Sequence, residues 1–377
     1  MSPKSTSHRS FCLMALLTLL AHAYLLNAPL LAAENTMVEP LVSPVGCTPQ
    51  QEQQQLNMTP RDMTGSWVGS WWIPPKGWKL FSTEELQDMW IDQSMIWVGD
   101  STARRSAMSL YGLLRHDNNR GRQEHKEHLH VSLEEIDREA LIDLNRKEIT
   151  EPCRRHGWDN NNNNNTKHLP LICRPMPENR NKDFVVLQLP CLQTVENFLL
   201  DEVSGASNLT IDMDVMILSL GIWDVVRQGD CQKKQGGRPL RARILYTLDA
   251  LTKLNQKRPK LKIIWRTSGY SFPLQDDESE HDEVNQTNVM NDIVMDHLDK
   301  QQQLSAEKAT TTITNHNHWM TYVNWGGAVE PRSFGANNRL AGDIPAHYGI
   351  QPRLVLHQMI ANTMYQRALS SRLPPPC

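Results

Sequence analysis

Apolar residues along this chain fall into two rhythms. Short unbroken runs occur at Met95-Ile96-Trp97-Val98, at Phe184-Val185-Val186-Leu187 within Asp183–Leu189, at Val215–Leu220 and at Leu261–Trp265. Runs of this length, bounded by polar or turn residues, predict strands buried on both faces. Between and after them, longer amphipathic stretches predict helices over Thr102–Leu114, 240–257, 282–304 and Ile350–Leu369, and Thr83-Glu84-Glu85-Leu86 reads as a further helix start. A weaker strand is expected near Thr310–Thr314 and a helix near Leu133–Lys147. Strands alternating with helices predict an α/β fold with a mostly parallel sheet covered on both faces. In such sheets the functional site lies beyond the carboxyl ends of the strands.

The first segment has a different pattern. Lys4 and Arg9 precede an uncharged apolar run from Phe11 to about Ala33. This marks residues 1–33 as a secretory-pathway segment. Two readings stand. A signal peptide would be cleaved after Ala21-His22-Ala23 or Leu31-Ala32-Ala33; a signal anchor would use the whole run to span a membrane once, leaving a short cytoplasmic tail and a lumenal domain. Residues 34–64 are polar, with five glutamines between Gln50 and Gln55, and read as a linker or stalk. The main domain is expected over 65–377. It is interrupted at about 115–182 by a charged, low-complexity insertion that carries the run Asn160–Asn165.

Composition narrows the picture further. Net charge is −3 over 377 residues, which gives no electrostatic footprint for nucleic acid. Cys12 lies in the apolar run, and Cys47, Cys153, Cys173, Cys191, Cys231 and Cys377 remain. An even number in an exported domain suggests up to three disulfides, in pairings the spacing does not select. Sequons at Asn57, Asn164, Asn208 and Asn285 agree with a lumenal or extracellular domain bearing glycans. His125, His128 and His130 resemble a metal cluster, but no carboxylate or cysteine framework accompanies them, and a solvated face is the simpler reading. No metal site is expected.

Four strand ends carry distinctive chemistry. Gly99-Asp100-Ser101 stands between the first apolar run and a helix, where a serine hydroxyl projects past the strand and helix-start N–H groups can hold an oxyanion. Arg104 follows one turn later. Gly221-Ile222-Trp223-Asp224 follows the third run; Gly221 is either an oxyanion donor or a tight turn, and Trp223 either a pocket wall or core, with core packing the default for a large aromatic. Trp265-Arg266-Thr267 ends the fourth run, and Arg266 suits either a substrate oxygen or a structural ion pair. Asp343 and His347 lie on one loop before the last helix, where they can supply a base and its orienting acid. The tryptophans at 67–78 can stack on sugar rings, but core packing is again the default.

Together these blocks resemble a known family. Val98-Gly99-Asp100-Ser101-Thr102-Ala103-Arg104 is similar to the V-G-D-S-x-x-R block of the PC-esterase group of SGNH (GDSL-like) hydrolases, which includes the trichome-birefringence-like polysaccharide O-acetyltransferases. Gly65-Ser66-Trp67-Val68, Leu220-Gly221-Ile222-Trp223-Asp224, Trp265-Arg266-Thr267 and the Asp343/His347 pair resemble its other blocks in the right order, over about 65–114 and 215–370. Two departures stand out. Asp343 and His347 are four residues apart where the family has three. Trp223 stands near the position of an oxyanion asparagine in many SGNH esterases, which makes Arg104 or Arg266 a candidate substitute.

The resemblance implies a three-layer α/β/α sandwich and a serine acyl-enzyme. Ser101 would be the nucleophile, His347 the base and Asp343 its orienting acid, with Gly221 and the Ser101 N–H as oxyanion donors. The activity implied is acetylesterase or O-acetyltransferase chemistry on a carbohydrate or glycoconjugate in the secretory pathway, in the Golgi lumen or secreted. No cofactor would be bound; the acyl donor would be one such as acetyl-CoA or an acetylated carrier. A non-catalytic glycan-binding protein on the same fold is the alternative.

Overall fold

The computed structural model describes residues 60–68, 71–115, 148–149, 170–177, 179–220, 222–225, 231, 238–269, 278–311, 320–329 and 350–370. Each unbroken apolar run becomes a central strand: β3 (Met95–Gly99), β6 (Asp183–Gln188), β7 (Val215–Ser219) and β8 (Lys262–Arg266). A fifth parallel strand, β9 (Met320–Val323), lies beside β8. Before these come a 3₁₀ turn (Pro60–Asp62) and the antiparallel pair β1 (Ser66–Val68) and β2 (Trp71–Ile73). Two further short strands, β4 (Glu148–Ile149) and β5 (Ile172–Pro175), extend the sheet to seven strands among the described residues, in the order β4-β5-β6-β3-β7-β8-β9. Only the β5–β6 pairing in that sheet is antiparallel.

Alternation along β3 splits the core into two layers. Ile96 and Val98 pack with α3 (Leu192–Ser204), α5 (Leu240–Lys257) and α6 (Glu278–Thr311) through residues such as Phe198, Leu251 and Val294. Met95 and Trp97 face the other way, onto α1 (Thr83–Trp90), α2 (Ser101–Arg115) and α8 (Ile350–Ser370) through Trp90, Leu110 and Met359. The period of two in side-chain direction therefore produces an α/β/α sandwich from one continuous apolar run. The helices begin where local chemistry allows. Ser82 accepts from the Glu85 N–H while Glu85 accepts from the Ser82 N–H, a capping box opening α1. Gly205, at φ 85°, closes α3 in a left-handed conformation.

The sheet order decides where a site can form. Counted in chain order, the five parallel strands lie 2-1-3-4-5 across the sheet. The chain leaves β3 toward β6 on one side and returns to β7 on the other. The crevice between the ends of β3 and β7 is thus the topological switch point.

Three expectations need correction. The strand foreseen near Thr310–Thr314 does not form at its described residues: Thr310 and Thr311 end α6, and the last strand among the described residues is β9. The threonine run has strand propensity, but Met320–Val323 has the buried place beside β8, and packing overrides propensity. Helix α3 was not foreseen. Part of the region expected as an insertion pairs into the sheet as β4 and β5. The expected helix near Leu133–Lys147 lies outside the described residues, as do the apolar run 11–33 and His125, His128 and His130. Among the described residues no helix is long and apolar enough to cross a membrane.

Candidate active site at the switch point of the sheet

Ser101 is the first residue of α2, two residues beyond the end of β3, and is partly exposed. What brings it there is a tight junction. Gly99 (φ 155°) lies beside Ser219, the last residue of β7. A Cβ on Gly99 would overlap the Ser219 carbonyl oxygen and come within 2.8 Å of Ala103 Cβ. Glycine is required so that the strand end can pass against its neighbour and turn into the helix.

Asp100 fixes the first turn of that helix. Its carboxylate is buried, and Oδ1 accepts from the Thr102 N–H (2.8 Å), the Thr102 hydroxyl (2.6 Å) and the Ala103 N–H (3.3 Å). This is an N-cap, and it uses helix-start amides that a developing oxyanion would otherwise be offered. Thr102 and Ala103 are therefore not oxyanion donors.

Thr102 also receives the Arg266 guanidinium, Nη2 to Oγ1 at 2.7 Å, and stands 3.4 Å from the Ser219 hydroxyl. Arg266 is buried at the end of β8, its guanidinium 4.3 Å from the ring centre of Trp325. Trp325 opens α7 (Trp325–Val329) and donates its indole N–H to the Pro352 carbonyl in the first turn of α8 (2.8 Å). A continuous path thus runs from the nucleophile's neighbour through the ends of β8 and β9 to the start of the last helix. Arg266 is an internal strut in this path rather than a surface binding group.

Arg104 is buried one turn along α2 and donates from Nη1 to Gln188 Oε1 at the end of β6 (3.0 Å). Desolvation, and secondarily the charge of Arg105, lower its pKa. Trp223 lies on α4 (Ile222–Val225), just past β7, and is 39% exposed. This corrects the expectation of core packing. Asp224 and Val225 are the buried members of the turn; Asp224 accepts from Arg243 and from the Leu192 N–H, which holds the turn with Trp223 outward. The earlier tryptophans do serve the fold: Trp67 donates to the Ala328 carbonyl and Trp72 to the Thr64 carbonyl.

Gly221, Asp343 and His347 lie outside the described residues. The two histidines with described side chains do not serve Ser101. His357, on α8, meets the Ser109 hydroxyl at 3.4 Å, eight residues or about 12 Å along α2 from Ser101. His297, on α6, lies on the opposite face of the sheet. Among the described residues no cluster of side chains suits a metal ion. Asn208 and Asn285 are exposed, while Asn57 and Asn164 lie outside the described residues. A disulfide joins Cys191 to Cys231, and Cys173 is also disulfide-bonded.

Sequence reasoning missed three members of this site. Asp100 was legible as a cap, being an aspartate directly before a helix. Thr102 and Gln188 carried no signal, because only the sheet register sets Gln188 beside Gly99 and brings Arg266, the partner of Ser219 on β7, within hydrogen-bond reach of Thr102.

No family model matches the chain, and no curated protein matches it. Among solved structures, the crystal structure of LAE5, an α/β hydrolase enzyme from the metagenome of Lake Arreo, Spain, aligns at 18% identity with a TM-score of 0.30, covering 49% of this chain and 74% of that one. At that score the likeness carries no argument.

Proposed function

We propose that this protein is a serine-dependent acyl-ester enzyme of SGNH type that removes an acetyl group from, or transfers one to, a carbohydrate. The observation that carries the reading is the seat of Ser101: a partly exposed hydroxyl at a strand-to-helix turn, on the first parallel strand, at the switch point of the sheet. The resemblance of its V-G-D-S-x-x-R block supplies the reaction class.

In this reading Ser101 Oγ attacks the acyl carbonyl and His347 takes its proton, with Asp343 as the orienting acid. Collapse expels the alcohol and leaves an acyl-enzyme. Water completes an esterase; a sugar hydroxyl completes a transferase. The described chain supports a place for His347. Pro352, five residues on, is bonded to Trp325, which packs on Arg266, which bonds Thr102. Five residues span at most about 17 Å, a reach from Pro352 that supports His347 as the partner of Ser101 in this reading. Exposed Trp223 supplies an aromatic face just past β7, suited to a sugar ring. The Cys191–Cys231 disulfide and the apolar N-terminal run support a lumenal or secreted domain, with glycans at the four sequons.

A fluorophosphonate probe and p-nitrophenyl acetate test this on the purified 34–377 chain. Wild type should form an adduct on Ser101 and release nitrophenol; Ser101→Ala and His347→Ala, with folding intact, should do neither. Equal behaviour of all three would overturn the reading and favour a glycan-binding protein.

A further inference from the structure

The reading above leaves the side-chain oxyanion donor open, since Trp223 carries an indole where an asparagine amide would stand and Arg266 is held within the fold. We infer that Gln188 is that donor and that Arg104 orients it. This rests on the serine acyl-enzyme reading.

Gln188 is the last residue of β6 and the direct register partner of Gly99, so its Cα lies about 4.8 Å from the backbone that leads into Ser101. The junction is fixed by the Leu189 N–H donating to the Gly99 carbonyl at 2.7 Å. The Gln188 side chain is exposed at the strand ends, where a substrate would sit. Arg104, three residues after Ser101 and so on the same face of α2, donates to Gln188 Oε1. A guanidinium can only donate, so the carbonyl end of the amide faces Arg104 and the Nε2 end faces away. The carboxamide is thereby held as a directed N–H donor at the rim of the site.

Fixing a donor before reaction is what transition-state charge requires. As Ser101 Oγ bonds to the acyl carbon, the carbonyl π pair moves to oxygen. That oxygen accepts from Gln188 Nε2 and from the Ser101 N–H until collapse expels the alcohol.

Two substitutions separate a donor from a mere anchor for Arg104. Gln188→Leu removes both functions. Gln188→Glu keeps an acceptor for Arg104 but has no N–H. The readouts are the rate of phosphonylation of Ser101 by a fluorophosphonate and kcat on p-nitrophenyl acetate, with the thermal midpoint as control. Both variants should fold as wild type, keep KM, and react about 100-fold more slowly. A Glu variant at the wild-type rate, or a Leu variant within about 3-fold of it, overturns the assignment while the Ser101 adduct stands. No Ser101 adduct in wild type overturns the acyl-enzyme reading itself, and this inference with it.

Discussion

Removing the carboxylate of Asp100 should unfasten the first turn of α2. Oδ1 is buried and accepts three hydrogen bonds, two from backbone N–H groups and one from the Thr102 hydroxyl. Asp100→Ala loses the cap, worth about 1 kcal/mol, and strands the Thr102 N–H away from water, at about 1–3 kcal/mol. The sum is a loss of about 2–4 kcal/mol. Asp100→Asn keeps an acceptor at Oδ1 and loses only the favourable charge at the helix N-terminus, about 0.3–1 kcal/mol. Urea titration followed by tryptophan fluorescence reads this as a lower midpoint at unchanged slope. Buried Trp90 and Trp97 provide the signal. An Ala variant within about 0.5 kcal/mol of wild type would refute the capping role. An Asn variant as unstable as Ala would show that charge, and not hydrogen-bond geometry, does the holding.

Two further outcomes follow from the fold. The Cys191–Cys231 bridge closes a separation of 40 residues around α3, β7 and the Trp223 turn, so replacing both cysteines by alanine should cost about 2–5 kcal/mol; an unchanged urea midpoint would contradict this. His357 is enclosed by Trp97, Ser109 and Arg353, and burial first, then the Arg353 charge, push its pKa down to about 3. The unfolded imidazole titrates near 6.5, so between those values the unfolded state binds the extra proton. Stability should therefore rise with pH across that window, by at most about 1.4 kcal/mol per pH unit, and be lost on acidification. His357→Gln should flatten the dependence of the thermal midpoint between about pH 4 and pH 6; an identical slope would remove His357 as its cause.

Much of the sheet was legible because burial on both faces leaves continuous apolar runs. Val215–Leu220 and Phe184–Leu187 could hardly be anything else, and the helix over 240–257 is where its amphipathic pattern put it. β9 was missed because Met320-Thr321-Tyr322-Val323 has no stronger local signal than the threonine run before it; its place is set by β8 and by the Tyr322 hydroxyl donating to Asp299 on α6. α3 was missed because its apolar residues merge with the polar stretch after β6. In the site, Ser101 was visible from local pattern alone. The roles of its neighbours were not. Arg266 reads as a substrate group or an ion pair in sequence, and only the packing of β3, β7 and β8 shows it bonded to Thr102 and stacked on Trp325. Trp223 reads as core by composition and faces solvent because Asp224 is bound to Arg243.

The path from Thr102 to Pro352 also has a consequence in time. Arg266 is made 164 residues after Thr102, and Pro352 another 27 after Trp325. At ribosomal speeds of about 5–20 residues per second, roughly 10–30 s separate synthesis of the serine turn from that of the arginine that braces it. The braced turn is therefore a late assembly product. A nascent or truncated chain ending before α8 carries the nucleophile without the last anchor of its brace, so the finished geometry belongs only to the full-length domain.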